Sequence, residues 1–203
     1  MFAFGHVGLT WGGALLLVRA SRRMTAFKRQ PSGPASAGDG VARRPTAAGL
    51  DYRFLILGSM LPDLIDKPLG VFLLRKQLSS GRTFAHSLVF VSAIGIASMA
   101  WRGKAGRALI PLALGSAAHL VLDRMWMQTD VLFWPLRGWL PQREDVSHWL
   151  EQMLELLFTD PYTYVSEAVG AGTVAGLLAS MIRRRGLREF IRTGWMRVGL
   201  ADR

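Results

Sequence analysis

Five apolar runs, each ending in or beside charge, restrict what this chain can fold into more than any other feature. They cover residues 1–18, 54–74, 83–101, 108–122 and 163–182. About 17 to 25 mainly apolar residues cross a bilayer as a helix, and only helices or closed barrels satisfy their own backbone there. The basic residues then set an orientation. Residues 19–53 carry eight basic and two acidic groups, 102–107 three and none, and 183–203 seven and two. If the five segments alternate, these 18 of 25 basic residues share one side, which the positive-inside rule assigns to the cytoplasm. The N-terminus and the loops near 75–82 and 124–162 are then outside. In a soluble protein a net charge of +11 would suggest nucleic acid. With a mean hydropathy of +0.23 it fits cytoplasmic loops facing anionic lipid instead, and no nucleic-acid partner is expected.

The expected fold is all-α: a single polytopic helical membrane domain, 1–203, of about five segments in the inner membrane. The first run precedes its charges, the reverse of a secretory signal, so it reads as an uncleaved helix. Residues 21–50 read as a flexible cytoplasmic loop, because 29–49 are Gly, Ala, Ser, Pro and Arg without periodicity. The run at 54–74 contains Gly58, Pro62, Pro68 and two carboxylates, which predicts a broken or re-entrant segment. Val146, Trp149, Leu150, Met153, Leu154 and Leu157 recur at helical spacing, which predicts an interfacial amphipathic helix over 144–158. The tail, 183–203, is basic and cytoplasmic. The absence of Cys excludes thiolate metal sites and cysteine nucleophiles, and neither a dinucleotide fingerprint nor a phosphate-binding loop is present.

Ionisable groups inside hydrocarbon are costly, so each intramembrane one is a candidate for function. On the alternating topology, His6, Asp63, Asp66, His86, His119 and Asp123 come from four segments to one depth in the outer half. Taken singly they have ordinary explanations: HxxxD is a common helical spacing, and Asp63 and Asp66 suit a helix start behind Pro62. Six at one depth is a different matter. Imidazole and carboxylate without thiolate suit zinc first, then manganese or iron, as one ion or a pair. His119 and Asp123, four apart, can reach a single metal.

His6, GSMLPDLIDK (58–67), GRTFAHSL (81–88), GSAAHLVLDRMW (115–126) and VLFWPL (131–136) resemble, in order and spacing, the motifs of the small bacterial and archaeal membrane-bound metal-dependent hydrolases. The resemblance spans 1–136. It implies a divalent-metal site built from those six residues and, through a distant similarity to zinc-dependent phospholipase C, hydrolysis of a phosphoester. Two departures stand out. Many relatives have a His-Arg-Gly step before Thr-His-Ser, where this chain has Gly81, Arg82 and Thr83 before Ala85, His86 and Ser87. The second carboxylate, Asp66, falls three residues after the first instead of two.

The sequence therefore supports a metal-dependent hydrolase acting on a lipid or other amphipathic ester, with membrane lipid as its surroundings. Asp66 is expected to orient or deprotonate the attacking water and Arg82 to hold the developing anion. Two alternatives stay open: a non-catalytic membrane protein braced by a metal or a polar cluster, and an ion or proton transporter. The apolar inner halves of the segments argue against the transporter. Lys67 and Arg124 flank proposed ligands and balance the carboxylates if no metal binds. His148 reads as a solvated helix position, Glu167 as a buried acid of open role, and the Trp residues as interfacial anchors.

Overall fold

A computed structural model describes residues 1–28, 50–139 and 148–196. All elements among them are helical: α1 (Ala3–Lys28), α2 (Tyr52–Lys67), a π-helical turn (Pro68–Leu73), α3 (Leu88–Ala100), α4 (Lys104–Leu122), a 3-10 turn (Met125–Met127), α5 (Thr129–Leu132), α6 (Trp149–Thr159), α7 (Pro161–Arg183) and α8 (Leu187–Thr193).

The distribution of polarity is inverted relative to a water-soluble bundle. His6, Ser59, Asp66, His86, Ser87, Ser116 and His119 have no accessible surface, while Leu17, Phe72, Leu73 and Met99 are each more than two-thirds exposed. Apolar side chains outside and polar groups inside suit hydrocarbon surroundings. α3, apolar but for Ser92 and Ser98, buries no residue at all. A smaller apolar core of Trp11, Leu15, Tyr52, Leu55 and Met181 joins α1, α2 and α7 away from the polar cluster.

Two close helix crossings set the frame. Gly5, Gly8 and Gly12 of α1 face Glu167, Gly170 and Thr173 of α7 in the same order, so the two helices run parallel. A Cβ on Gly8 would lie 2.2 Å from the Gly170 carbonyl oxygen, so only glycine allows this approach. α2 and α4 also run parallel, with Gly58 level with Leu112 and Ser116 and, further along both helices, Asp63 level with His119, and their backbones are equally close at Gly58 and Gly115. Recognisable caps start two of the other helices. Ser87 accepts from the Phe90 N–H for α3, and Asp160 accepts from the Thr163 N–H and hydroxyl for α7, behind Pro161. The Thr163 hydroxyl is the main reason the Asp160 carboxyl is held below the ordinary carboxylate value. The tail is tied back: the Tyr52 N–H donates to Gly194 and Arg53 donates to the Ile191 carbonyl.

Several expectations are corrected. Among the described residues two helices, not five, are long and apolar enough to cross a membrane: Lys104–Leu122 and Pro161–Arg183. α1 loses its apolar character in the arginines after Val18, and α2 carries Asp63, Asp66 and Lys67. α3 has only 13 residues, because the Ser87 cap excludes residues 83–87 from the helix. The run at 54–74 is not broken at Pro62; α2 continues through it to Lys67 and then into the π-helical turn. Pro62 has no N–H to give the Gly58 carbonyl, and the Ser116 hydroxyl donates to that carbonyl instead, at 3.1 Å. The loop expected over 21–50 starts later, since α1 is helical through Lys28, and 29–49 lie outside the described residues. The helix expected over 144–158 is described from Trp149 to Thr159, with 140–147 outside the described residues. The tail expected over 183–203 contains α8, and 197–203 lie outside the description.

Candidate metal centre

The six residues singled out from sequence lie together, at the start of α1, the last turns of α2, the turn before α3 and the end of α4. Five of them form two overlapping groups of facing ligand atoms, His6–Asp63–His119 and His86–His119–Asp123, with all atoms of a group within 4.8 Å of one another. His119 belongs to both.

Second partners fix the rings of two histidines. His119 Nδ1 is 2.7 Å from the Ser59 carbonyl oxygen and His86 Nδ1 is 2.7 Å from Asp66 Oδ2. Both oxygens only accept, so both Nδ1 atoms carry the proton. The two Nε2 atoms are thereby left as acceptors in the neutral rings, and they face each other at 3.1 Å. Asp63 Oδ1 lies 3.5 Å from His86 Nε2 and 3.8 Å from His119 Nε2. Two lone pairs and a carboxylate at these separations require a positive charge between them, either a proton or a cation. Zinc–nitrogen bonds of 2.0 to 2.1 Å give about 3.3 Å between ligand atoms of a tetrahedron, so the donor separations fit a cation.

His6 stacks on His119 with ring centroids 3.9 Å apart. Its Nε2 is 3.1 Å from Asp123 Oδ1, while Nδ1 of this fully buried ring has no hydrogen-bond partner. A buried imidazole nitrogen without a partner is costly, and a ligand to His6 removes that cost. Asp123 also receives the Met1 amine at 3.0 Å and Arg82 Nε at 2.9 Å. Lys67 Nζ lies 2.6 Å from Asp63 Oδ2.

Asp66 behaves unlike Asp63. Its two oxygens accept from the Thr83 N–H and hydroxyl, the Ala85 and His86 N–H groups and His86 Nδ1, all between 2.7 and 3.2 Å. A carboxylate so occupied folds residues 83–86 around itself and orients His86. It belongs to neither group of ligand atoms, and both its oxygens accept from those donors.

Glu167, whose role the sequence left open, caps α1 from α7: Oε1 accepts from the Phe2 and Gly5 N–H groups and Oε2 from that of Phe4. It thereby holds the turn that carries His6. No local sequence signal identifies this, because partner and acid are more than 160 residues apart. His148 is exposed and bonds Glu151, away from the cluster. Trp149 faces the site side of α6, with Lys67 near its ring, whereas Trp101, Trp126 and Trp139 are exposed as interfacial anchors would be.

A cavity of about 600 Å³ opens beside Asp123, lined by Lys67, Arg82, Arg124 and the inner side of α6. The fully buried histidines lie behind it.

The family model for the YdjM inner membrane proteins matches residues 24–189. The chain belongs to the YdjM inner membrane protein family. Family and apolar helices together make it an inner-membrane protein. The matched span includes Asp63, Asp66, His86, His119, Asp123 and Glu167, while His6 precedes it. The family's description names a location and no activity, so it does not carry the hydrolase assignment that the motif resemblance implies. No curated protein and no solved structure gives a significant match.

Proposed function

We propose that this YdjM-family protein is a membrane-embedded metal-dependent hydrolase, with one divalent metal or a pair, zinc by preference, held by His6, Asp63, His86, His119 and Asp123. The observation that carries this reading is the 3.1 Å approach of His86 Nε2 to His119 Nε2, each ring fixed through its Nδ1. The buried His6 Nδ1, which has no hydrogen-bond partner, supports it. Asp66 and the Ser59 carbonyl act as the outer partners that orient ligating imidazoles and raise their basicity. Asp66 is thus a positioning residue here and no longer the base that deprotonates water.

When bound, a divalent metal supplies a Lewis acid and lowers the pKa of its water toward about 7. The chain's own groups do the rest. Asp123, between the cluster and the cavity, meets the solvent side, and Arg82, 2.9 Å from it, meets negative charge developing on a substrate oxygen. The buried histidines keep bulk water away from the reacting centre. The substrate is an ester, by preference a phosphoester of a lipid or other amphipath, entering beneath α6. In this reading the N-terminus is outside and the tail is cytoplasmic. The parallel packing of α1 with α7 fits that orientation, both helices running inward from the outer face.

One observation favours a second reading, a non-catalytic polar cluster that braces the helices. Lys67 pairs with Asp63 and Arg82 with Asp123, so a proton on His86 would complete the charge balance without metal. Elemental mass spectrometry of detergent-purified protein, beside His119→Ala and Asp123→Ala at matched folding, separates the two. One or two zinc, manganese or iron per chain, lost in the variants, supports the hydrolase. Well-folded protein that stays metal-free after reloading leaves the bracing cluster.

A further inference from the structure

The cavity beside the cluster carries a feature the hydrolase reading does not use. Arg124 follows Asp123, the residue that ends α4, and has φ 53 and ψ 41, the left-handed conformation. Glycine is the usual occupant after a helix end in this conformation, which is costly for a residue with a Cβ. The turn swings the guanidinium over Tyr162, with its carbon 3.5 Å from the ring centroid. The ring is itself fixed, since the Tyr162 hydroxyl donates to the Leu122 carbonyl at 2.7 Å. Stacking uses the face of a guanidinium and directs its N–H fork edgewise, the geometry that meets phosphate oxygens in pairs.

Arg124 shares the cavity with Lys67 and Arg82, facing Asp123 and Asp160. Of the three cations, Lys67 and Arg82 pair with Asp63 and Asp123, whereas Arg124 is held by an aromatic face. The opposite wall comes from α6, where Trp149, Met153 and Leu156 are apolar and Gln152 is polar. Leu150, Leu154 and Phe158 of the same helix are exposed, so a single helix with two apolar sides separates the cavity from lipid. A volume of about 600 Å³ accommodates a headgroup and the first part of a chain.

We propose that this cavity is a receptor for a phosphate monoester attached to an apolar chain, and that Arg124, braced on Tyr162, is the residue that grips the phosphate. The proposal rests on the hydrolase reading and specifies its substrate class. The test is isothermal titration of the full chain in maltoside detergent with dodecyl phosphate, and separately with inorganic phosphate, alongside metal content for each variant. Dodecyl phosphate should bind the unaltered protein more tightly than inorganic phosphate does. Arg124→Lys, which keeps the charge and loses the planar fork, should weaken binding at least tenfold with metal content unchanged, and Tyr162→Phe should give a smaller loss. Equal binding by Arg124→Lys and the unaltered protein overturns the proposal, whatever the metal content. Inorganic phosphate binding as tightly as dodecyl phosphate overturns its apolar-chain part. Arg124-dependent binding in a chain that never takes up metal supports the receptor while removing the hydrolase reading.

Discussion

Asp66→Asn separates a carboxylate that orients a ligand from one that is a ligand. The amide is nearly isosteric, and the donor pattern predicts which way it turns. Asp66 Oδ2 receives the Thr83 and His86 N–H groups and His86 Nδ1, while Oδ1 receives the Thr83 hydroxyl and shares the Ala85 N–H with Oδ2. With the amide nitrogen at the Oδ1 position, the hydroxyl rotates to accept, and the remaining donors keep the oxygen. The loop at 83–86 and the ring orientation of His86 should survive; what is lost is the negative charge behind the imidazole. Losing such an outer partner typically costs 10- to 100-fold in metal affinity, or about 1.4 to 2.7 kcal/mol. Zinc titration against a competing chelator in detergent should give a drop of that size for Asp66→Asn, whereas Asp63→Asn, which alters an oxygen facing both His86 and His119, should lose metal outright. SDS-induced unfolding run in parallel reports folding. Complete metal loss in well-folded Asp66→Asn, or affinity equal to that of the unaltered protein, would refute the assignment of Asp66 to orientation.

Glu167→Ala strips the cap from three N–H groups at the start of α1; SDS unfolding should show a loss of about 1 to 3 kcal/mol, and metal affinity should fall because the turn bearing His6 loosens, with Glu167→Gln between the two. Ser116→Ala leaves the Gly58 carbonyl unpaired and should cost about 0.6 to 1.7 kcal/mol by the same measurement. In a Pro62→Ala background that cost should largely vanish, since the new N–H reaches the carbonyl, so the double-mutant cycle reads the coupling directly. Asp160 has a folded pKa below its ordinary 3.8. The stabilisation it gives α7 is therefore present above about that pH and lost as the pH falls through the folded value. Asp160→Asn keeps an acceptor for Thr163, so a pH series of unfolding midpoints should be flatter below pH 3.8 in that variant than in the unaltered protein.

The grouping of the site was legible because of what charge costs in hydrocarbon. Four histidine- and aspartate-bearing segments pointed to one depth, and His6, Asp63, Asp66, His86, His119 and Asp123 do meet. Spans were less legible, since apolar runs in sequence are not helices. Residues 83–87 read as the start of a span, yet Asp66 draws them into a turn and Ser87 caps α3 behind it. Pro62 read as a break because a missing N–H is visible in sequence while the compensating Ser116 hydroxyl, 58 residues from Gly58, is not. Glu167 stayed ambiguous for the same reason.

The roles within the cluster were the least legible part, and helix geometry explains why. Asp63 and Asp66 are three residues apart, about 60° around α2. That rotation is enough to turn Asp63 toward His119 of α4 and Asp66 toward the turn at 83–86, although both carboxylates sit on nearly one face. Spacing alone is equally uninformative four residues apart: His119 and Asp123 face a common ligand position, while Asp63 and Lys67 at the same interval form an ion pair. What distinguishes a candidate metal-holding imidazole from a structural one here is the anchor on its other nitrogen. The Ser59 carbonyl and the Asp66 carboxylate each take an Nδ1 proton, and so turn two Nε2 lone pairs toward one point. Those anchors come from α2 alone, and its parallel packing against α4 through Gly58 and Gly115 sets the distance between them and the rings. A Cβ at Gly58, 2.2 Å from the Leu112 carbonyl oxygen, would push the helices apart by about 1 Å to restore ordinary contact. That exceeds the roughly 0.5 Å within which a ligand set must be held, so the glycines of this crossing belong to the site's geometry as much as the histidines do.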